Sequence, residues 1–176
     1  EHSVVLDGCI EAEVRAALER HGGYFMSEEE SERLGKIFYL KDGSANAEAI
    51  GKSAVFLAKW AKIDVPPTTK VLISKQQYVS QNNPYSKEKL CPVLSYFVED
   101  DWMNACEKCI ELLITERSGH TLVIHSKDES VIEQFALKKP VGRILVNTSA
   151  VYGSMGMTTN LFPAMTLGSG TVGQGI

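Results

Sequence analysis

The chain has 176 residues, 44% hydrophobic and 23% charged, with a formal net charge of -4. That length supports one domain with a buried core, and the acidic balance excludes nucleic acid as the main partner, because phosphate binding needs a basic face. No apolar run approaches the roughly 20 residues of a membrane span, so no membrane partner is expected.

Taken in order, Ser3-Val4-Val5-Leu6 reads as a short buried strand ended by Asp7-Gly8. Ile10, Val14, Ala17 and Leu18 then recur at helical spacing through His21, and Gly22-Gly23 closes the helix. Gly23 to Met26 reads as a second strand. Ser27 with Glu30 three residues on is a capping box, opening a helix expected to run to about Tyr39. Asp42-Gly43 makes a turn, Ala47 to Ile63 reads as one amphipathic helix, and Asp64-Val65-Pro66-Pro67 breaks it. Lys70 to Ser74 is a strand. A polar loop around Pro84 leads into the strand Val93 to Val98, and Asp100-Asp101 opens a helix from Trp102 to about Arg117. His120 to His125 is a strand, Asp128 to Leu137 a helix, and Gly142 to Asn147 the last clear strand. From Thr148 onward no periodicity is visible.

Strands that alternate with helices predict crossover units and a largely parallel sheet. Val71-Leu72-Ile73 and Leu122-Val123-Ile124 are apolar on both faces, as a sheet covered on both sides requires. The expected fold is a three-layer α/β/α domain spanning residues 1–176 as a single domain. Because the chain opens inside a strand pattern, no signal peptide is expected. Together with the closing glycine run, Gly168-Ser169-Gly170-Thr171-Val172-Gly173-Gln174-Gly175, that opening reads as a piece of a longer protein.

Glu88-Lys89-Leu90-Cys91-Pro92-Val93-Leu94-Ser95 is the candidate functional stretch, a polar approach that turns at Pro92 into a strand. Such corners present side chains to ligands. On spacing alone Glu88 is one of 22 acidic residues, and a solvated loop carboxylate is the plain alternative. The segment resembles the Glu-x-Phe-x-Pro-Val segment of the aldehyde dehydrogenase superfamily. The resemblance implies that Glu88 holds the nicotinamide ribose of NAD through both carboxylate oxygens. It also implies that Leu90 walls the cofactor in place of the usual phenylalanine.

The tail Asn160-Leu161-Phe162-Pro163-Ala164-Met165-Thr166-Leu167-Gly168-Ser169-Gly170 is too apolar for a disordered linker. It resembles the Leu-x-Pro-Ser-Leu-Thr-Leu-Gly-Cys-Gly tail of CoA-acylating aldehyde dehydrogenases, with Ser169 in place of the cysteine. By that match Thr166, Leu167 and Gly168 line the aldehyde and acyl pocket. Ser118-Gly119-His120-Thr121 is similar to the family's Gly-His-Thr/Ser strand entry. His120 is therefore a candidate donor to a thioester or phosphate oxygen, beside the alternative of a histidine satisfied by backbone; His125, deeper in the strand pattern, reads as structural.

Glu1-His2-Ser3-Val4-Val5 resembles the continuation of the family's Cys-Ala-Ser-Glu segment. No catalytic residue is then expected in this chain. The nucleophilic cysteine falls just before Glu1, and the NAD-binding domain lies farther upstream. The implied activity is oxidation of an aldehyde to an acyl-CoA with NAD and coenzyme A, in a homo-oligomer. The setting is cytoplasmic, or the interior of a bacterial microcompartment. A non-acylating NAD(P)-dependent aldehyde dehydrogenase and a non-enzymatic α/β binding or assembly domain remain alternatives.

Other motifs carry less. Cys106-x-x-Cys109 falls in a helical pattern without a second Cys or His pair at zinc spacing, so no metal site is expected. Gly51-Lys52-Ser53 lacks the first glycine and feeding strand of a phosphate loop. Cys91 has no evident cationic partner or helix N-terminus to make it a thiolate.

Overall fold

A computed structural model of the protein describes residues 2–40, 43–116, 121–138 and 141–162. Two units divide it, Glu1–Lys108 and Cys109–Ile176. The first holds a four-stranded sheet in the order β1-β4-β3-β2, built from β1 (Ser3–Asp7), β2 (Gly23–Phe25), β3 (Val71–Lys75) and β4 (Val93–Glu99). Every neighbouring pair in it is parallel. Between the strands run α1 (Glu11–Arg20), α2 (Glu28–Gly35) and α3 (Ala54–Trp60).

Period-two alternation sorts the strand residues between two cores. Leu72 and Val93 point to one face, where Leu34 of α2, Leu57 and Ala58 of α3, Phe38 and Tyr85 complete a cluster. Ile73 and Tyr96 point to the other and meet Leu6, with Val14 and Leu18 of α1 packed against them. Helices thus cover both faces, which is the three-layer arrangement expected. Leu34, Leu57, Leu72 and Ile73 have no exposed surface, and burial of each is worth about 1.5–3 kcal/mol.

Local signals explain most boundaries. The His21 amide bonds back to Ala17, and Gly22 ends α1 at φ 96, a conformation that favours glycine. Ser27 Oγ accepts from the Glu30 amide at 3.2 Å while the Glu30 carboxylate accepts from the Ser27 amide at 2.8 Å, completing the capping box. This helix stops at Gly35, short of Tyr39. A Cβ at Gly35 would lie 3.1 Å from Pro84 and 3.3 Å from the Tyr85 ring, so the loop from β3 packs on its end. The single helix expected over 47–63 is also broken. A 3-10 turn spans Ala47–Ala49, Gly51 takes φ 71, and Ser53 restarts the helix by accepting from the Phe56 amide at 3.2 Å. Gly51-Lys52-Ser53 is therefore a turn and a cap.

The helix α4 (Trp102–Glu116) carries the boundary between the units, and Asp101 caps its start by accepting from the Asn104 amide at 2.8 Å. In the second unit β5 (Thr121–Ile124) and β6 (Arg143–Val146) pair in parallel, with α5 (Glu129–Lys138) between them. Asp128 accepts from the Ser130 amide at 2.9 Å at the start of α5. A short helix, α6 (Ala150–Ser154), occupies a stretch where no element was expected. Its five residues are too few to show a helical period. Gly153 lets it seat on β6, since a Cβ there would lie 2.9 Å from Leu145. His125 lies past the end of β5 and is exposed, so the expectation that it sits deep in the strand is corrected. Among the described residues no helix is long and apolar enough to cross a membrane.

Candidate functional site

The site is built from the loop between β3 and β4. Because these strands are parallel, the loop must travel from one end of the sheet back to the other. Polar side chains hold it along the way. Gln76 Nε2 donates to Ser74 Oγ at 2.7 Å, and Asn83 Nδ2 donates to Gln76 Oε1 at 2.8 Å. Asn83 Oδ1 accepts from the Tyr85 amide at 3.0 Å, and Ser86 Oγ accepts from the Ser80 amide at 3.1 Å. The Tyr85 ring sits edge-on to Phe38 with centroids 5.8 Å apart, and its O–H donates to the Ser31 carbonyl at 2.6 Å. The loop is anchored in the core before it reaches Glu88.

From Glu88 to Leu90 the side chains alternate out, in, out. Glu88 is exposed, and its backbone carbonyl accepts from the Tyr39 hydroxyl at 3.0 Å. Lys89 is only 5% exposed. Its ammonium donates to the Lys87 carbonyl at 2.9 Å, the Ser95 hydroxyl at 3.0 Å and the Tyr85 carbonyl at 3.2 Å. Leu90 is 54% exposed and adopts φ 44. A left-handed leucine costs roughly 1–2 kcal/mol, and strained residues of this kind gather at functional sites. The Leu90 carbonyl accepts from the Gly51 amide at 3.0 Å. Pro92 then feeds β4.

Glu88 and Leu90 are brought together on the rim of a shallow hollow of about 20 Å³, with Phe38, Asn46, Ala49 and Ile50. A larger cleft of about 870 Å³ lies where β2 and β3 end, between α2 and the loop. Neither Glu88 nor Leu90 lines it. Tyr39, Lys87 and Asn83 do, so the Tyr39 hydroxyl ties the cleft wall to the Glu88 backbone. The register Ser3↔Ser95 brings the start of β1 beside the start of β4. Chain entering β1 therefore arrives at the same sheet edge as Glu88 and Leu90.

Electrostatics at this edge favour neutral groups beside one buried cation. Burial, then the Lys89 charge, lowers the His2 pKa to about 4, so its imidazole is neutral at pH 7. Burial pushes the Cys91 thiol up to about 11 against the opposing pull of Lys89. A thiol so protonated is a poor nucleophile, as the sequence reading expected of Cys91, but the reason is burial: the cationic partner it found missing is present in Lys89. Burial also raises the Tyr85 phenol, leaving it protonated.

Lys89, Ser95 and Tyr85 were missed by sequence reasoning. Thr166, Leu167 and Gly168, together with His120 and Ser169, lie outside the described residues. Cys106 is buried and Cys109 partly buried in α4, and neither forms a disulfide. Among the described residues no group of three His, Cys, Asp or Glu could hold a metal ion.

No protein-family model matches the chain. Known proteins do. It is 33% identical over 178 residues to the bifunctional aldehyde-alcohol dehydrogenase of Escherichia coli K12, covering 98% of this chain and 20% of that protein. It is 31% identical over 174 residues to the acetylating succinate-semialdehyde dehydrogenase of Clostridium kluyveri, covering 99% of this chain and 38% of that one. The crystal structure of an acetylating aldehyde dehydrogenase from Geobacillus thermoglucosidasius superposes with a TM-score of 0.90 at 37% identity, over 99% of this chain and 38% of that one. Over nearly its whole length the chain is homologous to acylating aldehyde dehydrogenases. It corresponds to a partial region of them, spanning 20% and 38% of the two curated relatives. The α/β fold of these acylating dehydrogenases runs through both units, so the resemblance of the Glu88 segment lies within a match along nearly the whole chain.

Proposed function

We propose that the intact protein oxidises an aldehyde to an acyl-CoA with NAD, and that this chain supplies part of the catalytic, substrate-binding domain. The outward pair Glu88 and Leu90, astride a buried lysine and at the sheet edge where β1 begins, carries the reading. Glu88 offers an exposed carboxylate whose two oxygens fit vicinal ribose hydroxyls. Leu90 offers an apolar surface next to it, held in one strained conformation. These residues fit a nicotinamide nucleotide, which when bound supplies the hydride acceptor.

The chemistry needs a thiolate to attack the aldehyde and carry the acyl group until CoA removes it. Cys91 is unsuited, and the resemblance of Glu1-His2-Ser3-Val4-Val5 to the segment after the family's cysteine implies that the nucleophile falls just before Glu1. Glu88 and Leu90 orient the cofactor. Thr166, Leu167 and Gly168 enclose the aldehyde and keep water from the thioester, and His120 donates to a thioester or phosphate oxygen. The intact protein is a cytoplasmic homo-oligomer whose partners are the aldehyde and CoA. The 176-residue chain by itself is inactive. Mixing the intact protein with acetaldehyde and NAD should yield NADH only when CoA is present, and the chain alone should yield none. NADH formed equally well without CoA would overturn the acylating assignment.

A further inference from the structure

Lys89 has no part in the chemistry described so far, yet it is the most deeply buried cation among the described residues of the site. A desolvated ammonium is expensive unless several oxygens surround it. Among the described residues these oxygens include the Tyr85 and Lys87 carbonyls in the approach and the Ser95 hydroxyl on β4. Ser95 in turn donates to the same Tyr85 carbonyl at 2.5 Å, closing the cluster. The ammonium thus fastens the loop on both sides of the Glu88–Leu90 corner to the rigid sheet. An apolar side chain of equal length would fill the same space without gathering these oxygens. The lowered pKa of His2 agrees that this charge is felt at the start of β1.

We propose that Lys89 is a positioning residue for the cofactor: by drawing the Tyr85 and Lys87 carbonyls and the Ser95 hydroxyl around one buried ammonium, it aims Glu88 and Leu90 outward in register with each other. The inference rests on the assignment of Glu88 to the cofactor ribose. It predicts that the contribution of Lys89 to cofactor binding passes through Glu88 and disappears when Glu88 is gone.

The test is a double-mutant cycle in the intact enzyme, with Lys89→Met and Glu88→Ala made singly and together. KM for NAD, KM for CoA and kcat are measured for each protein, and circular dichroism selects those that fold. Lys89→Met should raise KM for NAD about tenfold when Glu88 is present and less than about twofold in the Glu88→Ala background, as expected for residues that act as a unit. KM for CoA should stay within about twofold throughout. Lys89→Gln, which keeps a donor in the site, runs through the same cycle and should raise KM for NAD less than Lys89→Met. It alone decides the matter if Lys89→Met does not fold. Equal effects of the lysine substitution in both backgrounds would overturn the proposal. Were Glu88→Ala itself to leave KM for NAD unchanged, the ribose assignment would fail instead, so the two failures are distinct.

Discussion

Ser95→Ala probes the cluster under the candidate site most directly. Ser95 has no exposed surface, its hydroxyl donates to the Tyr85 carbonyl at 2.5 Å, and it accepts from the Lys89 ammonium at 3.0 Å. Losing the neutral bond costs about 1 kcal/mol and losing a bond to a charged group about 1.5–3 kcal/mol. The Lys87 and Tyr85 carbonyls still serve the ammonium, which puts the second figure at its low end and the sum at about 2–3 kcal/mol. With a urea m-value of about 2 kcal/mol/M, the unfolding midpoint should fall by roughly 1–1.5 M at unchanged slope. Urea titration of the protein followed by tryptophan fluorescence measures this. Ser149→Ala is the control, because Ser149 is exposed and its hydroxyl caps nothing. A midpoint shift for Ser95→Ala no larger than the control's would refute the claim that the cluster stabilises the loop.

Other consequences follow from neighbouring residues. Asparagine tolerates the left-handed region that Leu90 occupies at φ 44, so Leu90→Asn should stabilise the fold by about 1 kcal/mol in urea titration. The same substitution should raise KM for NAD in the intact enzyme, because the apolar wall is lost; destabilisation with unchanged KM would contradict both halves. Cys91, with its thiol held near 11 by burial, should react slowly with iodoacetamide at pH 8 and faster as pH approaches 11; peptide mass mapping showing rapid labelling at pH 8 would contradict this. His2 titrates near 4 when folded against its ordinary 6.5. Its unfolded form therefore binds a proton first, and stability present above pH 6.5 is lost as pH falls toward 4. After discounting for partial exposure this amounts to about 2 kcal/mol. A stability profile flat across that window in wild type, or unchanged by His2→Gln, would count against it.

What could be read beforehand was local. Ser27 and Glu30 announce a capping box because both partners lie within one turn, and Val71-Leu72-Ile73 announces a covered parallel sheet because neither face of the strand is polar. The break at Gly51 was not legible, since Ala47, Ala49, Ala54 and Ala58 keep an apolar rhythm through it. There the left-handed glycine and the Ser53 cap outweigh the pattern. Lys87-Glu88-Lys89 reads as three solvated charges. Only the fold reveals that Lys89 turns inward and is buried, because its oxygens come from Tyr85 and Ser95 as well as from its own turn. The Glu88 motif itself was visible through its resemblance to a family, whereas the loop that aims it depends on contacts from Ser31, Phe38 and Ser74 far away in the chain.

The most direct measurement is a crystal structure of the intact enzyme with NAD bound. The account predicts a Glu88 carboxylate oxygen within about 3 Å of each nicotinamide-ribose hydroxyl. Leu90 should lie against the nicotinamide. A ribose held by another side chain, with Glu88 left in solvent, would contradict it.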